Sequence, residues 1–162
     1  MAIFFDIDGV LRDVVTPIFG KQDVFWDELT IDGKSIVQFI EENPSVLETA
    51  PAFDYIYVAL EYEVNFLSCQ PYHWRKYTNR WLHKHFPIRH LEGRVIYVTH
   101  AKFKMEYIKD GDILVEDYPH FENYNNIILV DRSYNQKTNA SIRVYSPEEL
   151  CTILSWSAKV RR

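Results

Sequence analysis

The sequence predicts an α/β protein in which helices cover both faces of a parallel sheet. Short apolar runs of strand length alternate with segments of helical periodicity along most of the 162 residues, and strands separated by helices pair in parallel. The chain also begins with the apolar run Ala2–Phe5, which has the composition of a buried strand. A chain of this length is expected to form one domain with room for a modest insertion.

Strands are predicted wherever a short apolar run is bounded by turn residues. In chain order they are Ala2–Phe5, Val64–Leu67, Arg94–Val98, Asp112–Val115, Asn126–Val130 and Ile142–Val144. A helix is predicted from about Tyr72 to His85, because large side chains recur there at three- and four-residue steps, and a short helix around Lys104–Ile108. The last helix follows Ser146, since Pro147 suits the first helical position and Glu149 completes a capping box.

The connection between the first two strands is unusually long. We predict a core formed by residues 1–13 and 64–162 and a small helical cap formed by residues 14–63. Within the insertion, a helix follows Asp32-Gly33 and a break occurs at Asn43-Pro44. Connections of this length are usually functional in compact domains, so a lid over the end of the first strand is predicted. A longer crossover that merely covers the sheet is the alternative.

Aromatic side chains are concentrated in part of this insertion, at Phe19, Phe25 and Trp26. Such side chains can stack on a flat ligand, and Phe19 and Trp26 are therefore candidate substrate contacts. Packing of the lid against the core remains an equal alternative.

Composition and charge narrow the class of protein. A net charge of −5 argues against an extended nucleic-acid surface. No apolar stretch approaches the roughly 20 residues that cross a bilayer, and the amino terminus reaches Asp6 without the apolar core of a signal peptide. Cys69 and Cys151 form no disulfide framework. A cytoplasmic protein with reduced thiols and no membrane partner is expected, and a homodimer is left open.

Asp6-Ile7-Asp8-Gly9, directly after the first strand, is the most informative segment. Two carboxylates about 4 Å apart repel by roughly 4 kcal/mol at an effective dielectric of 20, so a bound cation or a proton is expected to neutralise them. Oxygen ligands of this kind suit Mg²⁺. The alternative is an acidic turn in which the aspartates cap backbone amides.

Three further strand ends carry chemically useful side chains. Ser68 follows the second strand, Lys102 and Lys104 follow the third, and Glu116-Asp117 follow the fourth. The carboxyl ends of parallel strands meet at one edge of the sheet. This set of side chains suits phosphoryl transfer. The acids can hold a metal ion and supply a nucleophile, and the hydroxyl and the ammonium group can bind phosphoryl oxygens.

This order of motifs resembles the haloacid dehalogenase (HAD) superfamily of phosphatases, from Ala2 to about Pro119. The resemblance implies that Asp6 is the nucleophile and forms an aspartyl-phosphate, and that Asp8 acts as general acid and then as general base. It also implies that Ser68 and a lysine bind phosphate. The metal site that it implies comprises Asp6, Asp8 through its backbone carbonyl, Asp117 and Glu116.

Within the superfamily, the short insertion and Gly9-Val10-Leu11 are similar to the 5′(3′)-deoxyribonucleotidase group. That group typically has Thr-Arg-Asp-Lys after the third strand, where this chain has Thr99-His100-Ala101-Lys102, and commonly Asp-Asp where this chain has Glu116-Asp117. Lys104 is preferred to Lys102 as the motif lysine, because it precedes Glu116 by the twelve residues expected from the family.

Together these features predict a Mg²⁺-dependent phosphomonoesterase that acts on a small phosphorylated metabolite, with a nucleoside monophosphate as the best single candidate. A sugar phosphate, a nucleic-acid 3′-phosphate or a catalytically silent binding role are the alternatives. Ser68, Cys69 and Thr99 are predicted to line the substrate site, although Cys69 also suits a small packed position. Arg12 is expected to form a surface salt bridge, with a phosphate or carboxylate contact as the alternative.

Overall fold

The computed structural model describes residues 1–20, 30–31, 33–121 and 124–159. Its strands are β1 (Ile3–Phe5), β2 (Thr30–Ile31), β3 (Lys34–Ser35), β4 (Val64–Cys69), β5 (Val95–Val98), β6 (Ile113–Glu116), β7 (Ile127–Val130) and β8 (Ile142–Val144). Its α-helices are α1 (Thr16–Phe19), α2 (Ile36–Glu42), α3 (Val46–Thr49), α4 (Tyr55–Glu61), α5 (Arg75–His85) and α6 (Pro147–Lys159). Short 3₁₀ segments span Tyr72–Trp74, Ile88–His90, Ala101–Glu106 and Ser133–Asn135.

The main sheet has six strands in the order β5-β4-β1-β6-β7-β8, and every neighbouring pair is parallel. β1 lies inside the sheet, between β4 and β6. The chain leaves β1 toward β4 and β5 on one side and returns to β6 on the other. This reversal of strand order is the position where open parallel sheets bind ligands, at the carboxyl ends of the strands. The predicted α/β fold is confirmed.

The alternation of side chains along the strands divides the core into two layers. On one face, Ile3 and Phe5 of β1 belong to a cluster that also contains side chains of α4, α5 and α6. On the other face, Phe4 packs with Leu114 of β6 and with the 3₁₀ segment Ala101–Glu106. Three layers result, and both faces of β1 are buried.

The helices of the insertion, predicted as a cap of residues 14–63, pack in two different apolar clusters. The last of them, α4, packs in the main core cluster through Tyr55, Ile56, Val58 and Ala59, because this face of the sheet is apolar and needs a helix to cover it. A separate apolar cluster contains residues of α1, α2 and α3 together with Trp74. The last helix of the insertion thus packs in a different cluster from α1, α2 and α3, which we call the cap helices.

Three local expectations are also corrected. The short helix expected around Lys104–Ile108 is a 3₁₀ segment, Ala101–Glu106, and the predicted helix from Tyr72 begins with a 3₁₀ turn before α5. At the start of α6, Ser146 Oγ accepts from the Glu149 amide at 3.3 Å, but the Glu149 carboxylate accepts from the amide of Tyr145 rather than of Ser146.

Among the described helices, none has the length and apolarity that a membrane crossing requires.

Candidate active site

The register of β1 and β6 brings the two acidic motifs together. Phe5 pairs with Val115, and the amide of Asp6 donates to the carbonyl of Val115 at 2.9 Å. Asp6, which follows β1, therefore lies next to Glu116 at the end of β6 and to Asp117 directly after it. Carboxylate oxygens of Asp6, Glu116 and Asp117 lie within 4.8 Å of one another, and all three residues are buried. We call these three residues the acidic cluster.

Lys104 is the ammonium group that the structure places against the acidic cluster. Its Nζ lies 2.9 Å from Asp6 Oδ1 and 2.9 Å from Glu116 Oε2, and the residue is 1% exposed. Lys102 is exposed, with its ammonium group 5.3 Å from the centre of the Phe103 ring. Of the two lysines considered from the sequence, Lys104 is thus the one that faces the acids.

Gly9 is required by the close approach of Asp117. Gly9 has a φ of +82°, in the region that L side chains rarely adopt. A Cβ atom built on it would lie 2.0 Å from Oδ2 of Asp117. The glycine therefore allows the turn after β1 and makes room for the carboxylate of Asp117, which follows β6. Arg132 Nε holds the same turn by donating to the carbonyl of Gly9 at 2.8 Å.

Burial and crowding raise the pKa of every acid in the cluster. Burial is the largest cause for Asp6, Glu116 and Asp117, and the pKa of Asp117 rises to about 7, with the Asp6 charge as the second cause. Burial alone would lower the pKa of Lys104, but the carboxylates of Asp6 and Glu116 raise it above its ordinary value. Lys104 is therefore charged, and it contacts two of the three carboxylates. Without a further cation, these shifts favour uptake of a proton by the acidic cluster, and the pKa of Asp117 of about 7 places this uptake near neutral pH.

The residues present fit a divalent metal ion. Three carboxylates face one contacting ammonium group, which leaves excess negative charge that a divalent ion would neutralise. The donors are all oxygen atoms, the ligand type that Mg²⁺ prefers, and water commonly completes its coordination. Asp6, Glu116 and Asp117 are the side chains that would hold it.

The pKa of Asp117 predicts how pH and metal act on stability. Its ordinary value is 3.8 and its value in the fold is about 7, so between these values the folded protein binds the proton more tightly than the unfolded chain. Metal-free stability should therefore fall as pH rises from about 4 to 7. Because Mg²⁺ replaces the proton, the increase in melting temperature that it produces should be larger at pH 8 than at pH 6, measured by thermal unfolding. Equal increases at both pH values would contradict this assignment.

Asp117 is positioned by residues that the sequence analysis missed. The Tyr134 hydroxyl donates to Oδ2 of Asp117, and Asn135 Nδ2 donates to the Asp117 backbone carbonyl at 2.8 Å. Both residues are buried and follow β7, the neighbour of β6. The polar run from Asp131 to Asn135 directly after an apolar strand was the available signal, since β7 ends at the same edge of the sheet.

Replacing Tyr134 with Phe should weaken metal binding with little change of shape. Partners that orient a metal ligand typically contribute about 10- to 100-fold in affinity, and the Mg²⁺ dissociation constant should rise by about tenfold or more. Titration calorimetry or metal-dependent thermal shifts would measure it. Tyr145→Phe is the matched control, because Tyr145 is 67% exposed. Unchanged affinity in Tyr134→Phe would show that this hydroxyl does not orient Asp117 for metal.

The carboxylate of Asp8 lies outside the acidic cluster. Its Oδ1 accepts from Arg12 Nε at 2.8 Å and its Oδ2 accepts from Gln70 Nε2 at 2.6 Å. The Asp8 carboxylate is thus held by Arg12 and Gln70, and the implied metal contact through the Asp8 backbone carbonyl stays a prediction. The expected surface position of Arg12 is wrong: Arg12 is 0% exposed, because its guanidinium finds partners on three elements.

A cavity of about 380 Å³ opens above the acidic cluster. Of the predicted substrate-site residues, Ser68, Cys69 and Thr99 line it, and burial raises the pKa of the Cys69 thiol. Its wall also contains Val37 and Ile40 of the cap helix α2, so part of the insertion covers the strand ends. The remaining lining residues are Asp6, Asp8, Trp74, His100, Ala101, Lys104, Glu116, Asp117 and Tyr118.

Of the predicted aromatic substrate contacts, none of those that the structure describes lines this cavity. Phe19 is half-buried and packs with the apolar cluster of the cap rather than lining the cavity. Phe25 and Trp26 lie outside the described residues. A larger groove of about 750 Å³ lies at the opposite edge of the sheet, between Met1, Asp110 and Trp156. It contains none of the acidic cluster, so the smaller cavity is the candidate active site.

Comparison with known proteins shows the fold. No protein-family model and no curated protein sequence matches this chain. The structure is similar to the crystal structure of a HAD family hydrolase from Deinococcus radiodurans R1 with bound phosphate and sodium, with a TM-score of 0.61. The match covers 97% of this chain and 96% of that chain at 11% sequence identity. At this identity the likeness establishes a HAD-type fold for the chain.

Proposed function

We propose that this protein is a metal-dependent phosphomonoesterase that acts through an aspartyl-phosphate on Asp6. The observation that carries the proposal is the acidic cluster with Lys104, which lies at the carboxyl ends of β1 and β6 beneath a cavity. The similar HAD family hydrolase holds phosphate and sodium, and both an anion and a cation suit this set of residues.

Each residue has a defined part in the proposed reaction. One carboxylate oxygen of Asp6 attacks phosphorus, the bond from phosphorus to the leaving oxygen breaks, and Asp8 gives that oxygen a proton. Asp8 then takes a proton from water as the water attacks the same phosphorus, which releases phosphate and restores the Asp6 carboxylate. Lys104 and Ser68 offer donors to the phosphoryl oxygens. The metal ion, when bound, neutralises charge on the phosphoryl group in the transition state.

Glu116 has a different part from the other two acids. Its carboxylate is held by Lys104 at 2.9 and 3.2 Å, and burial raises its pKa well above the ordinary value. It keeps Lys104 in position and adds negative charge near the metal. The departure from Asp-Asp at this strand end is consistent with a ligand that acts partly through water.

The cavity favours a small substrate. A volume of about 380 Å³ lies at the lower end of the range of small-molecule sites. Its wall combines Thr99 and His100 with the apolar side chains of Val37, Ile40 and Trp74. A phosphate with a compact, partly apolar leaving group fits this wall, and a nucleoside monophosphate is the preferred candidate. Mg²⁺ is the preferred metal.

Phosphate release provides the test. Purified protein with Mg²⁺ should release phosphate from an aryl phosphate and, more efficiently, from members of a panel of nucleoside monophosphates, sugar phosphates and oligonucleotide 3′-phosphates. Activity should stop when a chelator is added and return with Mg²⁺. The preferred member of the panel identifies the substrate class. Absence of phosphate release throughout, together with measurable Mg²⁺ binding, would reject hydrolysis and favour a silent binding role.

A further inference from the structure

Four buried or half-buried side chains form a closed ring of hydrogen bonds beside the acidic cluster. Arg12 Nε donates to Asp8 Oδ1 at 2.8 Å, and Gln70 Nε2 donates to Asp8 Oδ2 at 2.6 Å. Thr78 Oγ1 donates to Gln70 Oε1 at 2.7 Å, and Arg12 Nη2 donates to Thr78 Oγ1 at 3.0 Å. Each member thus contacts two others, and both oxygens of Asp8 are held.

The ring restricts the rotation of Asp8. Arg12 and Thr78 are each 0% exposed and Gln70 is 1% exposed, so water does not compete for their hydrogen bonds. Turning the carboxylate away would leave a buried guanidinium and a buried amide without their acceptor, which is costly. A carboxylate has about four lone-pair positions, and the ring uses only part of them. Asp8 also lines the cavity, so the remaining positions can serve the substrate.

Arg12 extends the ring into the cap. Its Nη1 donates to the carbonyl of Leu47 in α3, and its guanidinium lies 5.3 Å from the centre of the Trp81 ring in α5. The loop after β1 is also bonded to the segment just before α4. The carbonyl of Leu11 accepts from the amide of Phe53, and the amide of Asp13 donates to the carbonyl of Pro51. The guanidinium therefore connects the loop after β1 with the cap helix α3 and with α5.

We propose that Arg12 and Gln70 are positioning residues for proton transfer by Asp8, and that Arg12 couples the orientation of Asp8 to the position of the cap. This inference rests on the proposed phosphomonoesterase function and adds to it. Neither residue needs to touch the phosphoryl group. Their part is to keep one carboxylate at the angle from which it reaches the leaving oxygen, and small displacements of such a group lower the rate strongly.

A purely structural ring predicts a different kinetic result. If the ring only stabilised the loop, its variants would lower kcat/KM by the same factor for every substrate. If it positions the proton donor, the loss depends on the leaving group. An alkoxide needs the proton that Asp8 gives, whereas p-nitrophenolate is stable enough to leave without one. This difference separates positioning from stability.

The test compares an alkyl phosphate with p-nitrophenyl phosphate in Gln70→Met and Arg12→Lys. General acid catalysis contributes about 10²- to 10⁴-fold, so loss of orientation should lower kcat/KM for the alkyl phosphate by about tenfold or more. The value for p-nitrophenyl phosphate should fall by less than about threefold, because the first chemical step no longer depends on Asp8. Gln136→Met and Arg89→Lys are matched controls at exposed positions and should change neither value.

Two further measurements keep the outcomes distinct. Mg²⁺-dependent thermal shifts should be unchanged in the variants, because the ring lies outside the acidic cluster. If either variant fails to fold, Thr78→Val removes one member of the ring with its shape preserved, and Thr78→Ser should restore the wild-type ratio of the two substrates. Wild-type protein without activity on any phosphomonoester would overturn both proposals. If the wild type is active and the variants lose activity toward both substrates by the same factor, only the positioning proposal is overturned.

Discussion

Replacing Asp6 with Asn should lower kcat for phosphate release by more than about 10⁴-fold, as expected for loss of a group on which the whole reaction depends. The amide that results cannot attack phosphorus, although it is nearly the same size as the carboxylate. Phosphate release should be measured under saturating substrate and Mg²⁺, and Asp6→Ala should give the same result. Persistent activity in both variants would reject Asp6 as the nucleophile.

The same substitution should not lower stability in the absence of metal. Burial raises the pKa of Asp6, and Asp6 in turn raises the pKa of Glu116 and Asp117, so its carboxylate is an unfavourable member of a crowded cluster. The Asn variant leaves Lys104 paired with Glu116 at 2.9 Å. Its metal-free melting temperature should equal or exceed that of the wild type, as is common when a strained catalytic group is removed. Asp110→Asn, at an exposed position, should change neither activity nor stability.

Replacing Lys104 with Met should have the largest effect on stability. The ammonium group contacts two buried carboxylates, and removal of one partner of a buried ion pair typically costs about 3–5 kcal/mol. The free energy of unfolding of a single domain is about 5–15 kcal/mol, so the expected loss is a large part of it. The free energy of unfolding should be measured by chemical denaturation in the presence of a chelator. Activity should fall by about 10²- to 10³-fold, as for loss of one electrostatic donor.

The pH dependence and a neighbouring lysine make this prediction specific. Because the acidic cluster can take up protons at low pH, the loss of stability in Lys104→Met should be smaller at pH 5 than at pH 8. Lys102→Met is the matched control. Lys102 is exposed and lies over the Phe103 ring, and its removal should change the free energy of unfolding by no more than about 0.5 kcal/mol. If Lys102→Met were the inactive variant, the assignment of the motif lysine would be reversed.

The strand ends were predictable because they obey local rules. An apolar run followed by Asp6-Ile7-Asp8-Gly9, and another followed by Glu116-Asp117, indicate two strands that end in acids. A parallel sheet then requires both pairs at the same edge. The packing of α4 was less predictable, because its apolar side chains would also suit packing within the insertion, and only the sheet face that they cover decides where the helix lies.

The ring around Asp8 was not predictable, and the partners of Asp117 had only the polar run after β7 as a signal. Arg12 stands four residues after Asp8, a spacing that exposed ion pairs also use, and nothing local shows that it is buried. Gln70 and Tyr134 are ordinary polar residues after strands, and their role depends on elements that are distant along the chain.

The sequence by itself determined the sheet, the acidic strand ends and the presence of an insertion after the first strand, because hydrophobic periodicity and turn chemistry act over a few residues. Only the tertiary structure decided which carboxylates lie close to one another, which of the two candidate lysines faces them and what holds Asp8 in place. Those choices depend on register and burial across β1, β4, β6 and the cap. Contacts between residues far apart in the chain have no signature in the local pattern.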